Sequence, residues 1–158
     1  MSNDPWSYAK SNDEHSQQVA LFMYCNMAYR FGLTAADDPK SYNVKDYAGK
    51  LHETKWDHIP QLKWLHAVHN QGHGDAIRGA KAKAEGVKAG VADMFLPVPN
   101  KLYHGLYIEL KADGGKLAPI QFDFIVDMRE AGYQADMAVG WLEARKLILE
   151  YLLLPLDV

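Results

Sequence analysis

A chain of 158 residues, 48% hydrophobic and 23% charged, suits one globular domain with a sizeable core. Its one cysteine, Cys25, excludes an intrachain disulfide and any multi-thiolate zinc or iron–sulfur site, so a reducing compartment is expected. The net charge of −3 argues against indiscriminate polyanion binding, and no apolar run reaches the roughly 18–20 residues of a bilayer span.

Residues 1–13 are polar and contain Pro5, which predicts a loosely docked N-terminal arm that Trp6 and Tyr8 can pin down. With Asp4, Asp13 and Glu14, this start lacks the basic-then-apolar order of a signal peptide, so an intracellular, cytoplasmic protein is expected. Residues 14–158 are expected to form a single domain. From Glu14 to Tyr29, Val19, Phe22, Met23 and Met27 recur at three- and four-residue intervals, predicting an amphipathic helix capped by Asn12 or Asp13. Residues 31–60 hold Gly32, Pro39 and Gly49 among charges and aromatics. They read as an inserted long loop with a helical turn or two, whose Tyr42, Tyr47 and Trp56 either cover the core edge or face a second subunit or DNA.

Leu62 to Val68 has strand-like content and leads into a turn cluster at Asn70-Gln71-Gly72-His73-Gly74. His66, His69 and His73 do not share one face on that path, which argues against zinc. Asp75 can cap a helix from Ala76 to about Glu85, which Gly86 would end. Between Gln61 and Ala92, five basic residues (Lys63, Arg78, Lys81, Lys83, Lys88) face two acidic ones, a local charge of +3 on a chain otherwise at −6. Such a strip is either a solvated helix face or a salt-sensitive phosphate contact.

The organising stretch is GVKAGVADMFLPVPNKLYHGLYIELK, Gly86 to Lys111. Period-two alternation puts Tyr107, Glu109 and Lys111 on one strand face and Leu106, Ile108 and Leu110 on the other. Pro99-Asn100-Lys101 punctuates a turn between that strand and Met94–Val98, and a hairpin centred on residue 101 sets Asp93 opposite Glu109. Two carboxylates so placed repel unless a proton or cation lies between them, and Mg²⁺ is commonly held by one or two carboxylates with water and phosphate oxygens. By itself, Glu-x-Lys on a strand is the pattern of an exposed ion-paired face. Beyond it, Asp113-Gly114-Gly115 ends the strand, Pro119 opens a helix to Ala131 with Gln121 in its first turn, and Tyr133 to Val139 reads as a strand between helices. Trp141 to Leu153 closes the chain as an amphipathic helix with Leu142, Leu147, Ile148, Tyr151 and Leu152 as core candidates.

In order along the chain, five features resemble the VRR-NUC domains of the PD-(D/E)XK nuclease superfamily. They are Asn70 before a Gly-containing turn, the GVxxGVxD block from Gly86 to Asp93, the ExK strand ending Ile108 to Lys111, Gln121, and a closing GY…G…A…YL pattern. Ala118 departs from that pattern, standing where relatives often carry a Ser or Thr helix cap, at a cost of about 1 kcal/mol of helix stability. The resemblance implies a restriction-endonuclease-like α/β core, a mixed central sheet flanked by helices. It implies a metal-dependent endonuclease acting on branched or structured DNA, working as a homodimer on four-way junctions, in the host-cell cytoplasm if phage-encoded. It also implies that Asp93, Glu109, Glu14 and the Leu110 carbonyl hold Mg²⁺ or Mn²⁺, while Lys111 and Gln121 steer the attacking water. Asn70, Arg78, Lys81, Lys83 and Lys88 would hold the DNA. The alternatives are a non-cutting DNA-binding or assembly protein with this fold, and a nuclease for linear DNA without branch preference.

Overall fold

The computed structural model describes residues 4–38, 57–69 and 76–154. A four-stranded sheet runs in the order β1 (His66–Ala67), β2 (Met94–Leu96), β3 (Leu106–Lys111), β4 (Gln134–Val139). β1 and β2 pair antiparallel, as do β2 and β3, whereas β3 and β4 are parallel, so the sheet is mixed. Six helices accompany it among the described residues: α1 (Pro5–Tyr8), α2 (Glu14–Phe31), α3 (Leu33–Asp37), α4 (Ala76–Ala84), α5 (Pro119–Glu130) and α6 (Gly140–Leu153).

One face of the sheet makes the main core. Met94, Leu96, Leu106, Ile108 and Leu110 pack there with Ala20, Leu21 and Tyr24 of α2 and Trp141, Ala144, Ile148 and Tyr151 of α6. The other face carries Phe95 stacked on Tyr107 with centroids 4.2 Å apart, and Phe124 of α5 meets Tyr107 edge-on at 5.1 Å. Central β3 thus lies between two layers of helix, the arrangement that lets one of its faces stay apolar while the other carries charge.

The hairpin register follows the expected centre. Met94 pairs with Ile108, Phe95 with Tyr107 and Leu96 with Leu106. Asn100, buried in the connecting loop, accepts hydrogen bonds from the Leu102 and Tyr103 amides on Oδ1, both at 2.9 Å, and donates Nδ2 to the Tyr151 carbonyl at 3.3 Å. Tyr151 in turn donates its hydroxyl to the Val98 carbonyl at 2.5 Å, so the loop is fastened to the end of α6.

Several expectations are corrected. Leu62–Val68 is not a continuous strand: Pro60 opens a 3-10 turn over Pro60–Trp64 that drops Leu62 into the core, and only His66–Ala67 pairs with β2. Residues 4–13 of the N-terminal arm are docked, with Trp6 in the pinning role expected of it. Asp4 caps the short helix α1, Trp6 meets Trp141 edge-on at 5.1 Å, and Gln17 ties the arm to the body. Buried Gln17 donates to the Ala9 and Ser11 carbonyls and accepts from the Trp141 amide, all at 3.0 Å. The buried stripe of α2 is Ala20, Leu21, Tyr24, Cys25 and Ala28 with Met27, while Val19, Phe22 and Met23 are only half-buried. On α6, Leu142 is exposed. Tyr42, Tyr47, Trp56, Asn70, His73 and Asp75 lie outside the described residues, as does the Arg78 side chain.

Truncating Asn100 to Ala leaves two amides and a carbonyl without their partner, so Asn100→Ala is expected to lose about 1–3 kcal/mol of unfolding free energy. Urea denaturation of the two chains measures it, and an unchanged midpoint would remove Asn100 from its anchoring role.

Candidate active site

Glu109 and Lys111 protrude from the α5 side of β3, where alternation places them, yet both are buried, Glu109 with only 1% of its surface exposed. Burying a carboxylate is costly unless it is paired and hydrogen-bonded. Here the Lys111 ammonium lies 2.8 Å from Glu109 Oε1, and the Gln121 side-chain amide donates to the same oxygen. Glu109 Oε2 is buried with no hydrogen-bond partner. Continuing the hairpin register by one pair sets Asp93 opposite Glu109, and Asp93 Oδ2 accepts the Leu110 amide at 2.8 Å. Glu14, in the first turn of α2, brings Oε1 to 3.8 Å from the Lys111 ammonium.

Four chain segments therefore converge, and each has a local cause. Asp13 caps α2 by accepting the Ser16 amide at 2.8 Å, and Asn12 accepts the Asp113 amide at 3.0 Å, fastening the start of that helix to the end of β3. Gly90, at φ +84°, allows the block before Asp93 to press against α5. A Cβ there would stand 2.7 Å from Ile120 Cγ1 and 2.9 Å from the Ile120 carbonyl. At the start of α5, Ala118 supplies no side-chain cap, and the cap comes from the other direction: Gln121 Oε1 accepts the Ala118 amide at 2.9 Å. One Gln121 amide thus closes the helix end with its oxygen and holds Glu109 with its nitrogen.

The electrostatics follow from burial. Desolvation pushes the Glu109 carboxyl up to about 7, opposed by its bond to Lys111 and reinforced by the nearby charges of Asp93 and Glu14. For Lys111, burial pulls downward, but the Glu109 bond and the charges of Glu109, Glu14 and Asp93 outweigh it and raise its pKa. The lysine stays an ammonium at neutral pH.

Among the described residues, no group of three or more His, Cys, Asp or Glu side chains is arranged to hold a metal ion. The donors that do converge are nevertheless hard oxygens, among them the unpartnered Oε2 of Glu109. That set fits a cation such as Mg²⁺, which keeps several waters and needs one or two carboxylates. His66 and His69 are exposed and take no part, and His66 Nδ1 lies 2.8 Å from the Trp64 carbonyl. Lys81, Lys83 and Lys88 are exposed, the first two on α4 and the third in the loop after it. Gln17, Asn100 and Asn12, which fasten the surrounding elements to one another, carry no chemistry-bearing motif. Only the position of Gln17 on the stripe of Ala20, Leu21 and Tyr24 signals that it is buried.

The chain matches the model of the VRR-NUC domain family over residues 33–140, a span holding Asp93, Glu109, Lys111 and Gln121 but not Glu14. No curated protein matches it. A solved structure described as a VRR_NUC domain protein superposes with a TM-score of 0.64 at 24% identity, covering 93% of each chain.

Because Glu109 takes up its proton more readily folded than unfolded, stability is greatest below about pH 4.5 for this group and falls as pH rises toward 7. In EDTA, the wild type should lose about 2–3 kcal/mol between pH 5 and pH 8 relative to Glu109→Gln, which cannot ionise. Parallel pH dependences of unfolding would show that the carboxyl is not held in its neutral form. The family match over two thirds of the sequence leads to one assignment: this chain belongs to the VRR-NUC domain family, a family of nuclease type.

Proposed function

We propose that the protein is a metal-dependent endonuclease that hydrolyses phosphodiester bonds in branched or structured DNA, with four-way junctions as its expected substrate. The observation that carries this reading is the unpartnered, buried Oε2 of Glu109, beside Asp93 and an ammonium that stays charged. Asp93, Glu109 and the Leu110 carbonyl, with Glu14, are the groups that would hold Mg²⁺ or Mn²⁺. Held there, such a cation would supply Lewis-acid chemistry, polarising a phosphoryl oxygen and lowering the pKa of water.

The chain's own residues do the rest. Lys111, kept protonated by three carboxylates, supplies positive charge where the attacked phosphate becomes more negative, and its position is fixed by the Glu109 bond. Gln121, pinned at its oxygen by the Ala118 amide, orients its nitrogen toward the same point. Exposed Lys81, Lys83 and Lys88, with Arg78 and Asn70, are proposed to hold the DNA backbone, which makes affinity fall with salt. A homodimer would present two such sites to two opposed strands. Non-cutting DNA binding has less support, because the acid pair and the lysine are all in place.

A nicking assay on four-way junction, flap and linear duplex DNA, with Mg²⁺, Mn²⁺ or EDTA, tests the reading. Cleavage should require the metal and favour the branched substrates. Lys111→Ala should cut at least about 100-fold more slowly. Binding without metal-dependent cleavage would favour the non-cutting alternative, equal rates on linear and branched DNA would remove the branch preference, and unchanged turnover by Lys111→Ala would remove the lysine from its role.

A further inference from the structure

On the outer side of α2 a groove of about 390 Å³ opens between that helix and the edge strand β1, lined by His15, Gln18, Val19, Phe22, Met23, Asn26 and Ala67. We propose that this groove seats one unstacked nucleobase beside the phosphate that is cut, an inference that rests on the nuclease reading above.

Both walls of the groove run into the site. On the helix wall, Gln18, Phe22 and Asn26 follow Glu14 at four-residue spacing along one inclined ridge, and Glu14 ends 3.8 Å from the Lys111 ammonium. A rise of 1.5 Å per residue puts Gln18 roughly 6 Å and Phe22 roughly 12 Å along the axis from Glu14, the scale of a nucleotide step or two. On the strand wall, Ala67 pairs with Met94, and the next residue, Val68, donates its amide to the Asp93 carbonyl at 2.7 Å. A strand whose phosphate lies at Asp93, Glu109 and Lys111 therefore has this groove as the neighbouring concave surface.

The lining selects the part of the nucleotide. Among the described residues the lining has no Lys or Arg, which argues against a phosphate track, and no Asp or Glu to repel DNA, with His15 its one titratable group. Val19, Phe22 and Met23 offer an apolar floor with one ring, Phe22 being braced from behind by the core. Gln18 and Asn26 each bring an amide that both donates and accepts. A flat π-face with donors and acceptors on its rim is a nucleobase, and aromatic contact with an unstacked base is tolerant of sequence. A base stacked in duplex cannot enter, so the groove favours DNA that already offers an unpaired base near a branch point.

The test uses the full chain and a four-way junction whose strands carry one 2-aminopurine or one abasic residue at each position around the branch. With binding read in Ca²⁺, the fluorescence of 2-aminopurine should change at one position, and an abasic residue there should weaken binding roughly ten-fold. Phe22→Ala, and separately Gln18→Ala and Asn26→Ala in case the first variant fails to fold, should abolish the signal and show no further loss from the abasic residue. A signal at no position, or one untouched by all three variants, overturns the proposal, as does a change in oligomeric state without any change in base dependence. Cleavage in Mg²⁺ or Mn²⁺ is scored separately. An enzyme that cuts but lacks the signal loses only the groove, whereas a signal without cleavage loses only the catalytic reading.

Discussion

Everything in this molecule turns on keeping a carboxyl group in a place that water does not reach. Glu109 sits at the middle of the sheet, shut in by α5 on one side, with an ammonium and an amide sharing one of its oxygens and nothing on the other. A buried charge satisfied on one oxygen alone is a poor stabiliser. The raised pKa of the group is the measure of that cost. Buried, perturbed carboxyls of this kind cluster at functional sites, and the orphaned oxygen is the atom that the proposed cation would satisfy.

The surrounding fold can be understood as scaffolding for that position. β3 is fixed from both edges, antiparallel to β2 and parallel to β4, which sets the height of Glu109 and Lys111. Leu110 donates its amide to Asp93, so the second acid is located by the backbone of the strand that bears the first. Helix α2 is brought to the same end of the sheet by Asn12, and α5 by the double use of Gln121. Farther away, Asn100 and Tyr151 fasten the hairpin loop to α6, and Gln17 fastens the N-terminal arm to the amide of Trp141.

Much of this was legible in the residues. Strict alternation from Leu106 to Lys111 and the turn signal around Asn100 were enough to set the hairpin register and the shared face of Glu109 and Lys111, because both are local rules. Pro119 marked the start of α5 for the same reason. What sequence could not show depends on partners distant along the chain. The buried side of α2 was misread because small residues, Ala20 and Ala28, fill the closely packed face while the larger Phe22 and Met23 line a groove. Likewise Leu62 has strand propensity, but Pro60 turns it inward, and the missing cap at Ala118 is replaced by Gln121, a use of that side chain that only tertiary geometry reveals.

The direct test of this account is to follow the Glu109 side-chain carboxyl by carbon NMR through a pH titration, with and without Mg²⁺. Without the cation, the carboxyl should titrate near neutrality, well above an ordinary glutamate, and added Mg²⁺ should drive it to the ionised form at pH 6. A carboxyl that ionises in the usual glutamate range and is indifferent to Mg²⁺ would contradict the claim that this buried group is held ready for a cation.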